Sequence, residues 1–215
     1  MLCDLARLQK DCIVFLQEVE SWCCAPESCT HQVLHGVGGR AALAVPLNLS
    51  TSIRGVKHSL HGSGALVGQL GLCSAYLPNT SYSFAIYASA LDEIVQICKY
   101  LRSAGARALI VGGDFNAQLY CNHSSVGELA WEPPEGRDEA CARSFLLENC
   151  METFGLYAAN TFGSQVCKSD CFTQRPFENP NNNTQLDFVM ASRSVTGRAG
   201  VFNKNRFRVS DHYPV

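Results

Sequence analysis

Between residues 81 and 104 apolar side chains recur every three or four positions, at Phe84, Tyr87, Leu91, Ile94, Cys98 and Leu101; Gly105 closes the run and ALIVGG follows at once. A three-to-four-residue period sets one stripe of a helix against a core, and a glycine at its end takes the left-handed backbone that stops it. An apolar strand delivered straight after such a helix restricts the chain to folds in which helices lie on sheets. The expectation is an amphipathic helix over 81–104 feeding a buried strand.

The remaining pattern extends this reading. Leu2, Leu5 and Leu8 stand at helical spacing, and CIVFLQE reads as a buried strand ending in Glu18. Strands are expected at AALAVP (41–46) and across ALVGQLGLCSAYLP (65–78), with glycine-rich turns between them. Residues 122–137 are rich in Ser, Gly, Pro and Glu and read as a long surface loop. A helix over 140–154 follows, expected to bring Phe145, Leu146 and Cys150 to one face. Short strands are expected at YAANTF, CFTQ, QLDFVMAS and FRVS, divided by the turn ENPNNNT. Strand-helix-strand units followed by several short strands argue for a mixed α/β sandwich over an all-parallel doubly wound sheet. A chain of 215 residues, 47% hydrophobic, holds one sizeable core, so residues 1–215 read as a single domain.

Composition narrows the function classes. With 17 basic against 19 acidic residues, a strongly basic nucleic-acid binder is excluded on bulk charge. Arg193, Arg198, Lys204, Arg206 and Arg208 form a local basic run without an acid, read either as a local positive surface or, in preference, as a solvated strand face. Twelve cysteines are scattered, and Cys12, Cys73, Cys98 and Cys150 sit in apolar runs, as buried thiols of a reducing compartment do. No secretory signal opens the chain, and no run approaches the roughly 20 apolar residues of a membrane span. An intracellular location is therefore expected, and the glycosylation-type triplets at Asn48, Asn79, Asn122 and Asn182 are read as chance. Cys23, Cys24, Cys29 and His31 lack a second matched ligand pair and are not read as a zinc site.

The residues able to do chemistry stand at strand ends. Glu18 closes the first strand, where a rigid backbone presents its carboxylate at a sheet rim. In VGGDFNAQ two glycines permit a tight turn, and Asp114 and Asn116, two residues apart, fall on one side. An aspartate can orient or deprotonate a water, and an asparagine amide can donate to a phosphoryl oxygen without adding negative charge. Asp187 lies within a strand between Leu186 and Phe188, where a buried carboxylate requires a partner. His212 in VSDHYPV is the expected one, since a histidine held by a carboxylate has a fixed tautomer and a raised pKa. Asp211 could hold a metal or the metal's water, and Tyr76 in SAYLPN could add a phenolic hydroxyl. Taken singly, each has an ordinary reading as a cap or turn. Together they make a kit for phosphodiester cleavage: a divalent ion at Glu18, water prepared by Asp114, and charge stabilised by Asn116 and a His212 oriented by Asp187. That reading requires the segments to converge at one rim.

LQE, SAYLPN, GGDFNA, TQLDFVMAS and SDHYPV, in this order, resemble the endonuclease/exonuclease/phosphatase superfamily, which includes apurinic endonucleases, deoxyribonuclease I, sphingomyelinases and inositol phosphatases. The stretch from RSFLLENC to QLDFVMAS is most similar to the apurinic-type endonuclease domains of non-LTR retrotransposons. The resemblance implies a four-layer α/β/β/α sandwich of the deoxyribonuclease I type. It implies Glu18 as a metal ligand, Asp114 and Asn116 as a catalytic pair, Tyr76 as a phosphate contact and Asp187 with His212 as a pair, with Thr173 a weaker match. It also implies magnesium, or manganese in its place, a DNA substrate nicked on one strand, a reverse transcriptase domain in the parent protein and a nuclear location. The chain opens on the first helix and stops after SDHYPV, so a sandwich lacking its first strand and the end of its last is expected. Two other readings compete: a lipid or inositol phosphate phosphodiesterase or phosphatase with the same catalytic set, and a non-catalytic remnant.

Overall fold

The computed structural model describes residues 12–18, 30–121, 123–131, 139–162 and 185–195. The chain divides into two compact units, Met1–Leu77 with Ser89–Gly113, and Pro78–Ala88 with Asp114–Val215. Both mix helix and strand, as the sequence predicts.

In the first unit, β1 (Val14–Gln17), β2 (His31–His35) and β3 (Ala41–Pro46) form an antiparallel sheet in the order β1-β3-β2, with Val14 opposite Ala44 and Val33 sharing that same partner. Every residue of β3 is buried, which is why AALAVP is apolar throughout and does not alternate. A single helical turn, α1 (Leu47–Ser50), leads to β4 (Ile53–His58), β5 (Gly62–Val67) and β6 (Leu70–Tyr76). With β7 (Ala108–Asp114), these lie in the order β4-β5-β6-β7. The single strand expected over 65–78 is thus a hairpin: Val67 pairs with Leu70, and Gly68 at φ +61° with Gln69 makes the two-residue turn. The apolar run conceals the reversal because both arms are buried. Leu43, Val45, Ala65 and Leu72 form the core, with Phe15, Leu34 and Ile53 packed against it.

The expected long helix is α2 (Phe84–Ser103). It ends in a Schellman arrangement, Gly105 N–H donating to Arg102 O (3.1 Å) and Ala106 N–H to Leu101 O (3.0 Å). Ile94 and Ile97 approach β5 so closely that a Cβ at Gly62 or Gly64 would lie 2.5 and 2.4 Å from their side chains.

In the second unit, α3 (Glu139–Phe154) precedes β8 (Leu156–Ala158), which pairs antiparallel with β9 (Asp187–Ser192), Leu156 opposite Ser192. The face expected of α3 is corrected. Phe145 is 63% exposed, and the buried row is Arg143, Ser144, Leu147 and Met151, a four-residue ridge that includes two polar side chains with bonds of their own. Ser144 donates to Gln118 O. The loop after β7 is likewise not simply a surface loop. Ser125 and Val126 are buried, Gly127 N–H donates to Thr161 Oγ1 (2.7 Å), and Ala158 N–H to Ser125 O (2.9 Å).

Cys73 and Cys98 are buried as expected, whereas Cys12, at the margin of β1, is exposed. Arg193 is exposed; the rest of the basic run, the expected helix at Leu2–Leu8, the CFTQ and FRVS strands and Cys23, Cys24 and Cys29 lie outside the described residues. His31 is buried, its ring between Thr30 Oγ1 and Cys12 O. Among the described residues no helix is long and apolar enough to cross a membrane.

Candidate active site

Glu18 follows directly on β1 with φ +52°, its N–H donating to Arg40 O at 2.7 Å. The strand end is stitched to β6 by Ser74, whose buried hydroxyl donates to Leu16 O (3.1 Å) and accepts from Gln17 Nε2 (3.4 Å). Tyr76, the last residue of β6, donates its phenolic hydroxyl to Glu18 Oε1 at 2.7 Å. The structure therefore brings together Glu18 and Tyr76, 58 residues apart in sequence, on an exposed surface. Ser74 had no signal in the sequence beyond being a polar residue inside an apolar strand.

The strand carrying Asp114 approaches its neighbour at the glycine before it. A Cβ on Gly113 would lie 1.9 Å from Ala75 O, a separation no side chain permits. Asp114 is 4% exposed, and its carboxylate accepts the Asn116 main-chain N–H through Oδ1 (3.0 Å) and the Asn116 amide through Oδ2 (3.0 Å). Asn116 takes φ +45°, a left-handed conformation that asparagine tolerates better than most residues. Asp114 and Asn116 thus fall on one side of the turn, as their spacing predicts. Phe115 between them is buried, its N–H donating to Leu186 O (2.9 Å) and its ring 6.1 Å from that of Phe188. Its carbonyl accepts the hydroxyl of Tyr87 at 3.0 Å. Burial pushes the Tyr87 phenol far above its ordinary pKa, with Arg143 opposing and Asp114 adding to the rise, so the hydroxyl stays a donor.

Asp187 opens β9 and is buried, in keeping with the sequence. Its carbonyl accepts Asn160 Nδ2 (3.0 Å), and Asn160 Oδ1 accepts Val189 N–H (3.1 Å), so one buried amide clamps the start of β9 at both ends of a dipeptide. Sequence reasoning missed Asn160, Tyr87 and Arg143. A tyrosine in an otherwise apolar stripe and an arginine on the ridge of Leu147 and Met151 were the available signals, because buried polar groups demand partners. His212, Asp211 and Thr173 lie outside the described residues.

Glu18 offers a hard, exposed carboxylate, a ligand type that oxygen-preferring divalent ions share with their waters. Among the described residues, no three His, Cys, Asp or Glu side chains group closely enough to enclose an ion.

No sequence-family profile matches the chain, and no curated protein sequence matches it either. Solved structures do. The 3'-5' exonuclease NExo of Neisseria meningitidis is similar with a TM-score of 0.65 at 16% identity, covering 99% of this chain and 91% of that one. An AP endonuclease from Archaeoglobus fulgidus gives 0.62 at 14% identity, covering 100% and 90%. The endonuclease domain of TRAS1, a telomere-specific non-LTR retrotransposon, gives 0.59 at 17% identity, covering 99% and 87%. By these structural similarities, at low sequence identity, the protein has the fold of the endonuclease/exonuclease/phosphatase proteins.

Proposed function

We propose that this chain is a magnesium-dependent phosphodiester hydrolase that nicks one strand of DNA in the manner of retroelement endonucleases. The observation that carries the reading is the buried Asp114 carboxylate bonded to both N–H groups of Asn116 at the end of β7. In this reading Asp114 orients a water and takes its proton, the carboxylate being held in place before substrate arrives. The Asn116 amide, held by its bond to Asp114 Oδ2, is in this reading the group that donates to a phosphoryl oxygen. Asp187 fixes the tautomer of His212, which stabilises charge on the phosphoryl group. Glu18 and Asp211 would hold the ion and Tyr76 would contact the phosphate. When bound, the ion supplies positive charge against the phosphate and the leaving oxygen.

The choice of DNA draws on what the similar structures are described as: an AP endonuclease, a retrotransposon endonuclease domain, and NExo bound to a product DNA hairpin. On the same reading, the parent protein carries a reverse transcriptase and works in the nucleus. Supercoiled plasmid with millimolar magnesium should be converted to open circles by the wild type. Asp114→Ala and His212→Ala should lose this by at least about a hundredfold, the scale of a lost general base or charge-stabilising donor. Equal activity in wild type and variants overturns the reading. Release of phosphate or phosphocholine from inositol phosphates or sphingomyelin, without plasmid nicking, would move the substrate to the lipid-headgroup class.

A further inference from the structure

We infer that Arg143 is a positioning residue for the Asp114–Asn116 turn, acting through Tyr87, and this rests on the hydrolase reading above. Arg143 is 1% exposed on α3, and a guanidinium is costly to remove from water, so its placement requires specific partners. Nη1 donates to Pro78 O at 3.1 Å, and Nη2 donates to Tyr82 O. These carbonyls flank a turn shaped by Asn79, whose Oδ1 accepts both the N–H and the hydroxyl of Ser81. A planar fork reaching two carbonyls at once is a task for arginine; a lysine ammonium on its flexible stem has no such geometry. The guanidinium also lies over the Tyr87 ring, 4.8 Å from its centroid, which fixes where the phenol can point.

The Tyr87 hydroxyl points at Phe115 O. That oxygen belongs to the same peptide group as the N–H of Asn116, which donates to Asp114 Oδ1. One planar peptide is thus pinned at both ends, by Tyr87 on its oxygen and by Asp114 on its hydrogen. The fixed plane holds one side of the Asn116 φ torsion, and the side-chain bond to Asp114 Oδ2 holds the amide on the other, at the positive φ observed. A left-handed asparagine would otherwise relax toward commoner conformations. The chain of contacts runs from Arg143 to the ring of Tyr87, to the Phe115–Asn116 peptide, and so to the two side chains assigned to the chemistry.

Two variants of the full chain test this. Tyr87→Phe removes only the hydroxyl, and Arg143→Lys keeps the charge and loses the fork. Both are assayed well below their thermal midpoints for plasmid nicking in magnesium, and ¹⁵N-labelled protein reports the Asn116 main-chain and side-chain amide resonances. The expected result is a kcat lower by about ten- to a hundredfold with KM nearly unchanged, as small misplacements of catalytic groups produce, together with shifted Asn116 resonances. A purely structural role would lower the midpoint and leave kcat alone, and a wild-type kcat in both variants overturns the inference. Should Arg143→Lys fail to fold, Tyr87→Phe decides alone. If the wild type itself does not nick DNA, the functional reading fails, and the resonances decide the inference: unmoved Asn116 amides overturn it, and moved ones sustain it.

Discussion

The carboxylate of Glu18 is exposed and meets the Tyr76 hydroxyl at 2.7 Å, whereas that of Asp114 is buried and accepts both the main-chain and the side-chain N–H of Asn116. Each stands at the end of a strand, and the difference lies in what surrounds the side chain. In water a single hydrogen bond competes with solvent and contributes little to holding the Glu18 carboxylate. In the interior, hydrogen bonds strengthen one another, and Asp114 is locked through Asn116, Phe115 and Tyr87. Position along a strand is thus a weaker guide to rigidity than the number of buried donors a carboxylate meets.

The sharpest challenge to this contrast is Gly113→Ala. The added Cβ would stand 1.9 Å from the Ala75 carbonyl oxygen, so strands must part, and a loss of about 3 kcal/mol or more is expected from urea denaturation. A midpoint within error of wild type would show that the approach to Asp114 is soft. Next in size is Asn160→Ala, which removes both hydrogen bonds of its amide to the start of β9, at the Asp187 carbonyl and the Val189 N–H. A loss of about 2 kcal/mol is expected, and a near-neutral result would remove the clamp on β9 from the account.

Glu148 on α3 separates burial from donation, because Oε1 is buried and meets no hydrogen-bond partner among the described residues. Burial raises its pKa above the ordinary 4.5, with Glu152 adding to the rise and His123 and the Tyr120 main chain opposing it. The fold therefore prefers the protonated carboxyl. Its stabilising contribution is complete below pH 4.5 and is lost as pH rises through the raised value. Glu148→Gln keeps a neutral group, so its thermal midpoint should match wild type near pH 4 and exceed it increasingly toward pH 7. A constant difference across that range would contradict the assignment. The smallest effect belongs to Tyr76→Phe, expected to change stability by less than about 0.5 kcal/mol, as surface substitutions do. A large loss there would erase the contrast between the two carboxylates.

Much of the fold was legible in the amino-acid order. AALAVP, the helix before Gly105 and the strand into Asp114 appear where hydrophobic period and glycine punctuation put them. Less legible was anything in which a polar residue is buried. The face of α3 differs from the expected one because Arg143 and Ser144 count as polar in any periodicity, although both donate to main-chain carbonyls in the interior. The β5–β6 hairpin was read as one strand because burial of both arms removes the alternation that would reveal a reversal.

The sequence by itself determined which elements form and which chemical groups stand at their ends, because helical and strand periods and turn preferences are properties of neighbouring residues. Only the tertiary structure decided which of those groups meet. Tyr76 and Glu18 are 58 residues apart, Tyr87 and Phe115 28, and Asn160 and Asp187 27. Such pairings are selected by the packing of whole elements, which brings distant donors within about 3 Å of their acceptors, an exposed one at Glu18 and buried ones at Phe115 and Asp187.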